Sequence, residues 1–228
     1  MPPWTPIAGW MSLAHLDDGE GLDGAYVIAF KVTDDGGEKW SARMNRFKAK
    51  DRETLYGFAA CLKYRLPPLL GALGIDVDRT VLVPAISSRD TVAQPGAFLS
   101  LLTQLLADRT GARFEREAVR KQPHQPIHGI YNASGRTAEL DKANYTAASM
   151  PGVRHVVILD DFITRGGTLS RMAKALKDAN PRITVQGVAL GKTERRGFWG
   201  AALTNEHVED RWEELWLRGE RKYREPSR

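Results

Sequence analysis

The stretch Val156-Val157-Ile158-Leu159-Asp160-Asp161-Phe162-Ile163-Thr164-Arg165-Gly166-Gly167-Thr168 decides how the rest of the chain is read. Its apolar, mostly β-branched opening predicts a buried strand over His155–Leu159. That strand is expected to stop at two adjacent carboxylates. A loop with two glycines follows, and Leu169, Met172, Ala173 and Leu176 then recur at helical spacing up to Asn180-Pro181. In an open α/β sheet, ligands bind at the carboxyl ends of parallel strands. Glycine lets backbone N–H groups face a ligand without a Cβ in the way. The first helical turn adds unpaired donors and a partial positive charge. With the hydroxyls of Thr164 and Thr168, the segment Ile163, Thr164, Arg165, Gly166, Gly167 and Thr168 is predicted to cradle a phosphate.

Asp160 and Asp161 would repel that phosphate, so they must serve another part of the ligand. Two carboxylates at this place suit the vicinal hydroxyls of a sugar, as acceptors. They also suit Mg²⁺, held directly or through water. A sugar phosphate with free hydroxyls satisfies both halves of the segment. The plain alternative is an acidic strand end and a glycine turn with no ligand. No GxxxxGK[ST] is present, and no GxGxxG leads from a predicted strand.

Outward from this segment, strands and helices alternate. Tyr26–Val32 reads as a strand, Asp34-Asp35-Gly36-Gly37 as a turn, and Lys39–Phe47 as a returning strand, giving an N-terminal β-hairpin. Leu55, Phe58, Ala59, Leu62 and Leu66 then predict a helix that Pro67-Pro68 ends or breaks. Thr80–Ile86 is a short apolar run read as a buried parallel strand, followed by a loop at Ser87-Ser88-Arg89-Asp90. Phe98, Leu101, Leu102, Leu105 and Leu106 mark a helix closing near Gly111, with a further strand near Ala112–Glu117. Arg120–Met150 is polar and weakly periodic, the pattern of a lid or small excursion, with room for a short hairpin. Ile183–Leu190 predicts another buried strand. Glu209–Arg218 predicts a charged helical tail with an apolar stripe at Trp212, Leu215 and Trp216.

The resulting fold class is α/β: a mostly parallel open sheet with helices on both faces, plus the N-terminal hairpin extension and the C-terminal helical tail. The expected division is 1–53 as an extension able to act as a cap, 54–195 as the core, and 196–228 as the tail. The 42% apolar fraction supports one sizeable core. The net charge of +5 is compatible with an anionic ligand, with nucleic acid, or with solubility alone. Cys61, the single cysteine, lies among apolar residues and reads as core, and no Cys/His cluster has zinc spacing. No run reaches the ~18 apolar residues of a membrane span, and the N-terminus lacks a signal-peptide pattern. A soluble cytoplasmic protein is the default expectation, and a homodimer is compatible with it.

The segment resembles the phosphoribosyl pyrophosphate (PRPP) signature of type I phosphoribosyltransferases, a buried strand ending in two acidic residues before a Thr-Gly-rich loop. The resemblance implies that Asp160 and Asp161 hold the ribose and that Ile163–Thr168 bind its 5-phosphate. The family often has Thr-Thr-Gly at the loop centre. Here it is Thr164-Arg165-Gly166, and Arg165 either adds a charge-assisted contact to phosphate or points to solvent. Val81–Arg89 looks like the family's pyrophosphate loop, which implies Ser87, Ser88 and Arg89 as diphosphate contacts. A looser similarity to ComF-like proteins rests on Leu62-Lys63-Tyr64 and on Gln125–Arg136, without the zinc segment seen in many of them. Together the similarity covers about residues 55–195.

By that resemblance, Mg²⁺ and Arg89 stabilise the departing pyrophosphate while Asp160 and Asp161 serve the ribose. The stretch Arg120–Met150 stands where the family has a mobile loop, from which Arg120, Lys121 and Arg136 are candidates to reach the diphosphate. Phe198 and Trp199 are candidates to stack on the acceptor base. Two functions stay open. One is transfer of a phosphoribosyl group to a nitrogenous base, or the reverse. The other is a PRPP-binding regulator or DNA-handling protein without turnover. Basic residues Arg218–Arg228 are compatible with nucleic acid, but no DNA-reading module is recognisable.

Overall fold

The computed structural model describes residues 4–13, 16, 21–34, 37–126, 130, 132–195, 197, 205, 208 and 210–224. Its centre is a sheet of seven strands in the order β1-β2-β3-β9-β8-β4-β5. These are β1 (Thr5–Ile7), β2 (Trp10–Ser12), β3 (Gly24–Val32), β4 (Thr80–Pro84), β5 (Arg113–Phe114), β8 (His155–Ile163) and β9 (Thr184–Glu194). Strands β5, β4, β8, β9 and β3 are parallel, and β2 and β1 add antiparallel at the β3 edge. The expected α/β class with a mostly parallel sheet is the observed one.

Helices cover both faces. One core packs α1 (Lys39–Lys48), α2 (Arg52–Ala72), α3 (Phe98–Thr110) and α6 (Asp210–Arg224) against Leu82, Val157, Leu159, Val188 and Leu190. The other packs α5 (Gly167–Ala179) against Val81, Val83, Val156, Ile158 and Val185. Helices α3 and α5 therefore leave neighbouring strands β4 and β8 toward opposite faces. That divergence opens a crevice at the carboxyl ends of the two strands, the place where doubly wound sheets bind ligands.

Two sequence expectations are corrected. Lys39–Phe47 is not a returning strand but helix α1. Trp40, Ala42 and Met44 imitate strand alternation, but the buried residues Trp40, Met44 and Phe47 fall at i, i+4 and i+7. Glu38 caps the helix, accepting from the Trp40 N–H at 3.0 Å and the Ser41 N–H at 2.7 Å. The hairpin that does form is β1–β2, and β3 lies inside the sheet between β2 and β9.

Second, α2 runs through Pro67-Pro68 to Ala72. The prolines forfeit backbone bonds, but Leu62, Leu66, Leu69 and Leu70 keep the buried face continuous across them. The last helix, expected with an apolar stripe at Trp212, Leu215 and Trp216, packs by that stripe. Trp212 and Trp216 are each 1% exposed, and α6 lies against α2 where Gly57 and Gly219 remove side chains. A Cβ at Gly57 would stand 2.8 Å from the Trp216 ring. Arg43 sits over the Trp40 and Trp216 rings and makes two 2.8 Å hydrogen bonds to Glu213. Arg43 and Lys39 together hold the Glu213 carboxyl down to about 2. Cys61 is fully buried, as expected, and no helix among the described residues is long and apolar enough to cross a membrane.

Candidate active site

Strand β8 does not stop at the carboxylates but continues to Ile163, paired to β9. Neighbouring β4 ends earlier, where Pro84 pairs with Leu159 and the Ala85 N–H donates to the Leu159 carbonyl at 2.8 Å. Beyond Leu159, the β4 side of β8 therefore faces the crevice. The sheet changes here as well. Rows Val27–Ala189–Asp160 and Ala29–Gly191–Phe162 pair, whereas the row between them, Ile28–Leu190–Asp161, does not. Alternation slips at that row: Ile28 and Ala29 face the same core, as do Leu159 and Phe162.

The slip leaves the two carboxylates to satisfy their own backbone. The Asp161 N–H donates to Asp160 Oδ1 at 2.8 Å, and the Phe162 N–H to Asp161 Oδ1 at 2.7 Å. Burial, and then the adjacent Asp161 charge, hold the Asp160 carboxyl well above the usual carboxylate range. A desolvated carboxyl beside a like charge is costly in a fold, and such costs cluster at functional sites.

Gly166 has φ 73° and precedes α5 with no side-chain cap, so the N–H groups of the first turn stay free of a capping side chain. Thr164 and Arg165 are exposed, Gly166 is buried, and Gly167 and Thr168 are half-buried. On the β4 side, Ser87 and Arg89 are exposed and Ser88 is half-buried. The structure thus brings Ser87–Arg89, Asp160–Asp161 and Ile163–Thr168 to one edge of the sheet. Arg89 makes no ion pair among the described residues.

The described residues between 119 and 150 form a small unit above α5. Short strands β6 (Val119–Arg120) and β7 (Thr146–Ala147) pair antiparallel at its base, and α4 (Ala133–Lys142) lies between them. Leu140 packs over Gly167, where a Cβ would meet it at 2.8 Å, and Asp141 pairs with Arg171 at 2.7 Å. Tyr145 brings a buried hydroxyl beside Asp160, Thr168 and Arg171, without a hydrogen bond of ordinary geometry. Burial, then the Asp160 charge, push that phenol up. Of the basic candidates in this unit, Arg120 pairs with Glu117 at 2.7 Å, and the side chain of Arg136 lies outside the described residues, as do Phe198 and Trp199.

Two buried lysines escaped the sequence reading in their actual roles. Lys121, 3% exposed, donates to the Ser88 carbonyl at 2.9 Å. The His124 N–H donates to the same carbonyl at 2.8 Å. Burial pushes the Lys121 ammonium down to about 8, with Asp90 opposing. Lys192, also 3% exposed, donates to the Thr164 carbonyl at 2.6 Å and pairs with Glu194 at 2.5 Å. Each predicted anion loop thus has a buried lysine behind it holding one of its carbonyls. A lysine after an apolar strand carries no signal of this in sequence.

The carboxylates fit Mg²⁺ only as part of a mixed set. Two hard oxygen donors on one strand leave most of an octahedron to water and to substrate phosphate oxygens. No cluster of three acidic, His or Cys side chains exists among the described residues.

Comparison with known proteins agrees with this geometry. The family model described as phosphoribosyl transferase domain matches residues 100–202. Over 136 residues the chain is 35% identical to a protein named adenine phosphoribosyltransferase from Mycolicibacterium smegmatis, covering 58% of this chain and 73% of that one. The match does not extend to the ComF-like similarity, which nothing else supports. The chain belongs to the type I phosphoribosyltransferases and is an enzyme that transfers a phosphoribosyl group to a nitrogenous base.

Proposed function

We propose that PRPP lies across the crevice between β4 and β8, with Asp160 and Asp161 on its ribose hydroxyls. Ile163, Thr164, Arg165, Gly166, Gly167 and Thr168 hold the 5-phosphate, and Ser87, Ser88 and Arg89 hold the diphosphate. The observation that carries this reading is the strained carboxylate pair, placed between an uncapped helix N-terminus and a second loop on the neighbouring strand. Mg²⁺, reached by Asp160 and Asp161 through water, shields the diphosphate charge.

The reaction balances without further reactants. The C1–O bond of PRPP breaks and its electron pair leaves with pyrophosphate. The lone pair of the acceptor nitrogen forms the N–C1 bond, and a proton on that nitrogen passes to solvent. The chain's part is to hold the two anionic ends apart, fix the ribose and exclude water. Arg89, exposed and unpaired among the described residues, is placed to meet charge developing on the leaving group. The unit at 120–150 is the cover over the 5-phosphate. Phe198 and Trp199 remain the stacking candidates for the acceptor.

The test is pyrophosphate release from PRPP and Mg²⁺ with a panel of bases, beginning with adenine, the base in the relative's name. Release is expected with at least one base, together with loss of PRPP binding by at least a hundredfold in the Asp160→Asn/Asp161→Asn double variant. Unchanged PRPP affinity in that variant would sink the assignment. Tight PRPP binding with no turnover on any base would return the chain to the binding-only reading.

A further inference from the structure

We propose that Lys31 and Lys48 form a subsite for an anionic substituent on the acceptor, so that the acceptor is a nitrogen heterocycle bearing a carboxylate. The inference rests on the PRPP placement above and adds the acceptor class to it.

Lys31 is half-buried near the carboxyl end of β3, and Lys48 is exposed at the last residue of α1. Their Nζ atoms stand 5.1 and 5.5 Å from the centroid of one ring, Phe162, the residue after the carboxylate pair. Neither ammonium makes an ion pair or a hydrogen bond among the described residues, and the charge that Lys31 senses from Asp161 is already engaged by the Phe162 N–H. Burial and the Lys48 charge both push the Lys31 ammonium down, with Asp161 opposing. Two cations sharing one ring repel each other, and an anion between them removes that cost.

Position selects which anion. The sheet order places the diphosphate loop after β4, the ribose carboxylates on β8, and the lysines beyond β9 on β3 and α1. A nucleophile displacing pyrophosphate enters opposite the leaving group. The acceptor therefore approaches C1 from the β9–β3 side, where Lys31 and Lys48 stand without an ion pair among the described residues. A carboxylate on the ring would meet them while the ring nitrogen faces C1.

The proposal is tested without turnover, with product nucleotides that share ribose 5-phosphate and differ in one carboxylate. The pairs are orotidine and uridine 5′-monophosphates, and nicotinic acid and nicotinamide mononucleotides, titrated calorimetrically into the full chain. The carboxylate member of each pair is expected to bind at least tenfold tighter, as for about one charge-assisted contact. Lys31→Met/Lys48→Met should bring each pair to within about twofold, and Lys31→Arg should keep the preference. Equal affinity within the pairs in the wild type overturns the proposal, as does an unchanged preference in the double variant. A loss of PRPP affinity in that variant as large as its loss of the carboxylate nucleotides would place the lysines on the diphosphate and also overturn it. If PRPP itself fails to bind the wild type, the site assignment falls instead.

Discussion

Asp160→Asn separates the two jobs of the carboxylate pair. In the free enzyme Asp160 is desolvated and faces the Asp161 charge, so its carboxyl titrates well above the usual range. An acid with a higher pKa folded than unfolded binds more protons in the native state. The stability it lends at low pH is lost as pH rises from about 4, the unfolded value, through the raised folded value. Above the unfolded value the buried Asp160 carboxyl is therefore a burden, and an amide of the same shape relieves it. A gain on the order of 1–2 kcal/mol is expected, with Tm higher by roughly 3–6 °C for a chain of this length. The Asn side chain cannot offer a ribose hydroxyl a charged acceptor. Loss of one such contact, about 1.5–3 kcal/mol, weakens PRPP binding by roughly 10- to 150-fold. Thermal unfolding from pH 5 to 8, with calorimetric titration of PRPP and Mg²⁺, reads both effects. An Asn variant that is less stable than wild type at pH 7.5, or that keeps PRPP affinity within about threefold, would refute the reasoning.

Two further changes test the frame around the site. Lys121, pushed down to about 8 by burial, binds fewer protons folded than unfolded between pH 8 and 10.5. Wild-type stability should therefore rise across that window, by up to about 3 kcal/mol, and Lys121→Met should flatten the rise in urea unfolding. A parallel rise in the variant would show that the ammonium is not desolvated. At Gly219 a Cβ would run into the Tyr56 carbonyl of α2, so Gly219→Val should unseat α6 and cost about 2–4 kcal/mol. Denaturant midpoints check this, and an unchanged midpoint would mean that α6 does not hold the α2 face.

What the sequence made legible, and what it hid, follows from the range of the interactions. The strand starting at His155, the glycine turn and the helix after it are local patterns, and local patterning predicted them, although the strand runs on to Ile163, four residues past its expected end. Lys39–Phe47 was misread because both periods fit its first apolar residues. The choice was made by Glu38 at the cap and by a Trp216 more than 170 positions away, which packs on Trp40. The slip at Ile28–Leu190–Asp161 needs three strands side by side, and no single strand shows it. The Phe162–Lys31–Lys48 group is equally invisible, since its members come from one strand end, a neighbour two places along the sheet, and a helix.

The buried lysines give the reason why two separate loops can serve one doubly anionic ligand. A loop that binds an anion must turn its N–H groups outward, and its carbonyls must then go elsewhere. Lys121 takes the carbonyl of Ser88, and Lys192 takes that of Thr164. Each ammonium thus occupies a carbonyl acceptor of its loop, and Lys121, without an ion pair among the described residues, adds a positive field behind Ser88. Lys121 belongs to the segment that continues into α4, whose Leu140 rests on Gly167. The cover over the proposed 5-phosphate loop and the clamp behind the proposed diphosphate loop are therefore one stretch of chain. On the proposed placement of PRPP, seating that stretch would set both loops at once, which is the coupling a transferase needs if C1 is to be exposed to its acceptor only when both ends of the donor are held.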